Sequence, residues 1–382
     1  MSFSFRPSRR SLLRAGIGLS LTGAGGLGAT PATPAVAAVA AGQNGTLLCE
    51  QPGDSASRQG LGSGDLAIPY YREHDGSWGY VFGDAWTGPQ QGGDYLGSPV
   101  MLNQASFDAS GATPISFTWA MPTEGRAGQL FNYRHDTDNG HGHEVSRIPN
   151  DCVEFGGRTY IHYTSVATWT PPAGYDGSLM SGVAYSDDYG VTWHDYGHHW
   201  PGDTQGANQS LYGMWSFAGI DPDGWLYIFS KRWNGTHRNT ADGGAIQLFR
   251  IQPADFRAGD FGAQQNWAYL NGSWQWTTAA PPSVILTGHH TGEFSVKRIN
   301  GTYCMSYFDV TLGAICTRTA SRPDAAWSIP VPRITALTVP NLYGGYIHPA
   351  SPSPTSLTLL VSQWNGTPGH PYRVRQFDNI PA

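Results

Sequence analysis

The apolar positions of this chain cluster in short runs of aromatic and β-branched residues, each set off by a glycine-containing turn. One unit recurs, a turn of Asp-Gly, Gly-Gly or Asn-Gly type followed by such a run. It reads Asp75-Gly76-Ser77-Trp78-Gly79-Tyr80-Val81-Phe82, then Gly156-Gly157-Arg158-Thr159-Tyr160-Ile161-His162-Tyr163. It returns as Asp223-Gly224-Trp225-Leu226-Tyr227-Ile228-Phe229 and as Asn300-Gly301-Thr302-Tyr303-Cys304-Met305-Ser306-Tyr307. A looser last copy is Pro354-Thr355-Ser356-Leu357-Thr358-Leu359-Leu360-Val361. The copies lie about 55–80 residues apart, which suits four-stranded blades with long loops. No segment keeps a helical period with caps. The pattern predicts an all-β chain folded as a five-bladed β-propeller, with a two-sheet sandwich as the alternative.

The first residues obey a different rule. Ser8-Arg9-Arg10-Ser11-Leu12-Leu13-Arg14 has the twin-arginine export pattern. The apolar stretch that follows, Ala15 to Leu27, is too short and too glycine-rich to span a bilayer. Ala35-Val36-Ala37 and Ala38-Val39-Ala40 both fit small-residue cleavage sites. Residues 1–40 therefore read as a twin-arginine signal peptide, and residues 41–382 as one secreted propeller domain. No other stretch is long and apolar enough to cross a membrane.

Composition narrows the class further. Only 13% of residues are charged, about half the usual share, and the net charge is -6, which argues against nucleic acid as a partner. The 14 Trp and 19 Tyr suit a β-rich extracellular protein with a sugar-stacking surface, although most single aromatics of such a chain are core. Four cysteines, Cys49, Cys152, Cys304 and Cys316, suggest disulfides in an exported chain, with Cys304–Cys316 the first candidate pair and Cys49–Cys152 the second. Asn-Gly-Thr/Ser triplets at Asn234, Asn271, Asn300 and Asn365 read as turn chemistry.

Ser186-Asp187-Asp188-Tyr189-Gly190-Val191-Thr192-Trp193 matches the Asp-box, a hairpin-stabilising motif with a structural role. His135, His141, His143 and Glu144 look at first like metal ligands, but no helix places two of the histidines on one face. No metal ligands or cofactor are assigned; a structural calcium ion stays open. Nucleotide-binding loops and the G-x-S-x-G elbow are absent.

In a propeller the strand that opens each blade runs along a central channel, so polar residues there meet at one mouth. Those openings carry Asp65 with Asp84 on the next strand, Asp151, Trp215, Glu293 and His348. Two carboxylates facing one pocket are what glycoside hydrolysis requires: one protonates the leaving oxygen and the other activates water or attacks directly. Asp65 and Asp84 could equally be turn residues, and His348 a satisfied core histidine.

The segments from Asp65 to Asp84, together with Ile148-Pro149-Asn150-Asp151, Met214-Trp215, Gly292-Glu293-Phe294-Ser295-Val296 and Tyr343-Gly344-Gly345-Tyr346-Ile347-His348-Pro349, resemble an actinobacterial family long labelled a domain of unknown function. Its members are assigned as endo-D-arabinanases, five-bladed propellers that cut the D-arabinan of mycobacterial arabinogalactan and lipoarabinomannan. The resemblance runs over essentially the whole chain after residue 40. It implies a catalytic aspartate pair at Asp65 and Asp84, with Asp151, Trp215, Glu293 and His348 shaping the subsites, and a polysaccharide as partner. Ala85 stands where the family usually has threonine, which touches fine substrate preference. Inversion of the anomeric centre is the favoured outcome, since strands of separate position can hold carboxylates about 6.5–9.5 Å apart with water between. A sialidase-like enzyme or a non-catalytic sugar-binding propeller are the rivals. The oligomeric state is left open by the sequence.

Overall fold

A computed structural model describes residues 45–108, 113–172, 175–202, 211–233, 244–286, 291–364 and 370–382. The twin-arginine segment, and Asn234 and Asn365 among the triplets, lie outside the described residues. The chain is all-β. Five larger antiparallel sheets follow one another along the sequence. The first contains Ile68–Arg72, Ser77–Phe82, Val100–Gln104 and Trp119–Thr123, with Arg126–Ala127 at its edge. The second is Ser146–Phe155, Arg158–Val166, Ser178–Ser186 and His194–Pro201. The third is built on Met214–Ile220, Leu226–Lys231 and Ile246–Ile251, continued by Gln265–Leu270 and Ser273–Thr277. The fourth is Thr291–Ile299, Thr302–Asp309, Ala314–Ala320 and Val331–Thr335. The fifth is Leu342–Ile347, Leu357–Trp364 and Tyr372–Ile380, and its outer strand is Thr46–Leu47 from the other end of the chain.

Each recurring turn of the sequence joins the first strand of a sheet to the second. Gly156 and Gly157 have φ of 60° and 74°, and Asn300 and Gly301 have 46° and 87°. Positive φ at both central residues gives the two-residue hairpin whose twist matches that of the strands. The first strands of the sheets touch in cyclic order, first to second and on to the fifth, and the fifth again meets the first. The ring is sealed where Thr46 and Leu47 pair with Gln376 and Arg375. Glu50 reinforces the seal: its carboxylate accepts from the Tyr372 N–H at 2.7 Å and pairs with Arg373 at 3.2 Å.

Between the sheets lie fully buried aromatics, among them Tyr70, Tyr80, Tyr163, Tyr307 and Tyr346. Such side chains supply the largest apolar areas in any core. The Asp-box behaves as its motif implies. Asp188 accepts from the Ser186 hydroxyl and from the Thr192 N–H, both at 2.8 Å, and Trp193 donates to the Gly190 carbonyl. Gly190 has a φ of 104°, which a larger residue would strain to adopt.

Two expectations are overturned here. The first is the disulfides: all four cysteines are free thiols and buried. Cys304 stands opposite Thr319 in the ladder, and Cys316 opposite Tyr307. An offset of three residues puts the two sulfurs on opposite faces of the sheet and about 10 Å apart along it, beyond the reach of a disulfide. Cys49 sits against the Gly64 carbonyl near the seal, and Cys152 lies within the inner strand of the second sheet. Burial pushes the Cys49, Cys304 and Cys316 thiols up to about 12, so they stay neutral and behave as small apolar groups. The second is His348, expected to shape a subsite. It is fully buried between the fifth and first sheets, among Trp78, Tyr80 and Phe107. Its Nδ1 accepts from the Ala350 N–H at 3.1 Å and its Nε2 meets the Tyr80 hydroxyl at 3.0 Å. A second ring proton would point at a donor, and burial alone pushes the ring's pKa down to about 3.

Two measurements follow from this core. Unfolded without reductant, the chain should titrate four thiols, and dithiothreitol should leave its melting temperature unchanged. Fewer than four thiols would return the disulfides. Lowering the pH through 6.5 lets the unfolded chain bind a proton at His348 that the folded chain refuses until about pH 3, so the folded state loses stability across that window. His348→Gln removes that titration, and the melting temperature should then fall less between pH 6.5 and roughly pH 4 than it does in the wild type. An unchanged acid limb would show that His348 is not what the folded state refuses to protonate.

Candidate active site

The short strands Ser63–Gly64 and Ala85–Trp86 pair antiparallel, with Gly64 opposite Ala85. The next residues along the two chains are Asp65 and Asp84, so the ladder itself sets the two aspartates side by side. Asp65 is held from both ends. The Gly83 N–H donates to its carbonyl at 3.2 Å. Its carboxylate lies on Gly83 so closely that a Cβ there would stand 2.3 Å from Oδ1. The chain then turns sharply: Leu66 and Ala67 have φ of 68° and 49°, two consecutive non-glycine residues in the left-handed region. Such backbone strain is rare and concentrates at functional sites. It persists here because the Leu66 N–H donates to Ser362 Oγ on the fifth sheet at 3.0 Å.

Hydroxyl groups from neighbouring sheets orient both carboxylates. Tyr343, on the inner strand of the fifth sheet, donates to Asp65 Oδ2 at 2.7 Å. Ser146, which opens the inner strand of the second sheet, donates to Asp84 Oδ1 at 2.7 Å, and Tyr95 donates to the same oxygen at 2.9 Å. Burial pushes the Tyr95 phenol well up, so it remains a neutral donor. Its ring packs against His135. Asp65 is fully buried, and Asp84 is 5% exposed.

Glu293 comes to the same end of the ring. It is half-buried on the inner strand of the fourth sheet, and its carboxylate rests on Gly344, where a Cβ would stand 2.5 Å from Oε2. Gly344 follows Tyr343 directly, so Glu293 and Asp65 flank one two-residue stretch. Three of the six expected residues, Asp65, Asp84 and Glu293, are thus brought together where the inner strands begin. The other three are not. Asp151 lies in the middle of the ring, where its Oδ2 accepts from Ser216 Oγ, the Phe217 N–H and Lys297 Nζ at 2.7–2.8 Å. It ties the inner strands of the second, third and fourth sheets. Trp215 is fully buried between the second and third sheets, its ring stacked on His162 at 4.2 Å. His348 is the core histidine described above. For these three the expected role at a subsite is corrected by burial.

Tyr343, Tyr95, Ser146 and the buried Lys231 were not singled out from the sequence. Tyr343 belongs to the Tyr343-Gly344-Gly345-Tyr346 run, so a signal was there. Tyr95 and Ser146 lie in segments without any pattern. The histidine-rich segment disperses: His143 pairs with Asp136, Glu144 with Arg147, and His141 packs on His199. Among the described residues no three metal-ligating side chains converge. At the far ends of the inner strands a cavity of ≈ 240 Å³ is lined by Tyr71, Val153, Ile220, Lys297 and Pro349, among others.

Comparison with known proteins places the chain. The notoamide biosynthesis cluster protein J' of Aspergillus versicolor is 32% identical over 332 residues, covering 82% of this chain and 84% of that protein. An uncharacterized 35.9 kDa protein of Mycolicibacterium smegmatis is 31% identical over 176 residues, covering 41% of this chain and 48% of its own length. A Bacteroides ovatus crystal structure with a provisional hydrolase description aligns with a TM-score of 0.57 at 13% identity, over 91% of this chain and 97% of that one, which is a likeness of fold. The profile of a domain of unknown function, DUF4185, matches residues 50–378. The chain belongs to the DUF4185 family.

Proposed function

We propose that this chain is a secreted glycoside hydrolase, a five-bladed β-propeller that cleaves α-D-arabinofuranosyl linkages within D-arabinan, exported by the twin-arginine route. The observation that carries the reading is the aspartate pair. Asp65 and Asp84 stand side by side at one end of the ring, each oriented by a hydroxyl from another sheet. A strained turn holds the first of them. A pair so constrained from outside its own hairpin suits acid/base work better than turn capping, which needs only local bonds.

In the reaction one carboxylic acid of the pair protonates the glycosidic oxygen as the bond to the anomeric carbon breaks. The other carboxylate removes a proton from the water that attacks the opposite face, which inverts the configuration. The orienting hydroxyls keep each carboxyl pointed at its task, and Glu293 lends negative charge beside the oxocarbenium-like carbon. The motifs that resemble the endo-D-arabinanase family supply the substrate. The Aspergillus relatives are named for a biosynthesis cluster, so a small molecule is the competing substrate at the same mouth.

Purified mycobacterial arabinogalactan tests both parts. The wild type should release reducing ends, and oligosaccharides as first products mark internal cleavage. Asp65→Asn and Asp84→Asn should each lower kcat by about 10²–10⁴-fold with melting temperatures near wild type, the range that acid/base groups contribute. No release by the wild type would sink the substrate, and full activity in both variants would sink the catalytic pair. Proton NMR of the first-formed anomer reads inversion directly.

A further inference from the structure

Lys231 ends the strand Leu226–Lys231 at the mouth and is 1% exposed, among the largest fully buried side chains of the described residues. Its Nζ donates to the Arg232 carbonyl at 2.8 Å and lies 3.4 Å from the sulfur of Met214, its partner across the ladder. An ammonium has three donors and a large hydration energy, and a carbonyl with a thioether sulfur replaces little of it. A lysine in such a place is held charged by anions. Two carboxylates supply that charge: Glu293 from the inner strand of the fourth sheet, and Asp176 from the segment entering Ser178–Ser186 of the second. The adjacent cation on its own strand is Arg232, whose carbonyl is the acceptor just named.

Glu293 connects this lysine to the aspartate pair. Its carboxylate rests on Gly344, and the preceding Tyr343 donates to Asp65. A line of contacts therefore crosses the mouth from the third sheet to the first: Lys231, Glu293, the Tyr343–Gly344 backbone, Asp65. We propose that Lys231 is a positioning residue whose buried ammonium keeps Glu293 ionised and seated on Gly344, and through Tyr343 keeps Asp65 aligned for the reaction. This rests on the reading of the mouth as a hydrolase site.

The arrangement has a pH signature. Burial pushes the Lys231 amine down to about 8, with Glu293 and then Asp176 opposing that shift. Below that pH Glu293 has its counter-charge. Above it the lysine is neutral, Glu293 loses its partner, and activity should fall.

The experiment is the pH dependence of kcat/KM for reducing-end release. The wild type should show an alkaline limb near pH 8. Lys231→Arg keeps a charge that does not titrate in this range, so its limb should move up by more than about one unit. Glu293→Gln removes the favouring carboxylate and should move the limb down. Lys231→Met should lack the limb and run at a lower plateau. A wild type without this limb, or the same limb in Lys231→Arg, overturns the proposal. NMR of ε-¹³C-labelled lysine separates this outcome from failure of the hydrolase reading. A resonance that is missing from Lys231→Arg, titrates near pH 8 in the wild type and titrates lower in Glu293→Gln upholds the Lys231–Glu293 pairing even if arabinan is not cut. An unchanged titration in Glu293→Gln overturns it. Should Lys231→Arg not fold, the Glu293→Gln arm decides alone.

Discussion

The whole ring depends on one seam, the pairing of Thr46 and Leu47 with Gln376 and Arg375. Sheets joined only by sequence-local hairpins could splay open, because the last sheet has no covalent tie to the first. The seam turns an open row into a closed ring, and the Glu50–Arg373 ion pair holds it at the edge. Its consequence reaches the mouth. Asp65 follows the seam by fewer than twenty residues in sequence, and its hydroxyl donor, Tyr343, lies 278 positions away. Without closure the two would not meet. The strained turn at Leu66 and Ala67 depends on the same event, since Ser362 on the last sheet accepts from the Leu66 N–H.

Polar groups inside the ring divide by what satisfies them. Asp151 is bonded from three inner strands and pairs with Lys297, so removing either partner would leave a buried charge without its counter-ion. His162 and His348 are kept neutral by burial. These groups brace the middle of the ring. At the mouth the bonding is different in kind. The carboxylates of Asp65 and Asp84 are held by hydroxyls and a close glycine, which orient without neutralising. Lys231 brings the positive charge to that end, set back from the pair and facing Glu293.

Much of the fold was legible in the sequence because it is written in local chemistry. A hairpin turn is chosen by the residues within it, so Gly156-Gly157 and Asn300-Gly301 announced their strands. The Asp-box works within eight residues, and its bonds form as its spacing implies. The disulfides were misread because an even cysteine count says nothing of register, and register is what puts Cys304 and Cys316 on opposite faces. Trp215, Asp151 and His348 were misplaced for a related reason. Their segments do open the sheets, but in an extended strand alternate residues face opposite ways, and a segment's place does not say which way each side chain points.

By itself the sequence determined the elements: the hairpins, their number and order, the aspartates at the entry to the first sheet, and membership of the DUF4185 family. The tertiary structure alone decided which polar residues share the mouth. Asp65 with Tyr343, Asp84 with Ser146, and Glu293 with Gly344 join sites 62 to 278 positions apart, and nothing in either partner's neighbourhood announces the other. Turns follow from local sterics and hydrogen bonds, whereas contacts across the axis exist only once the ring has closed.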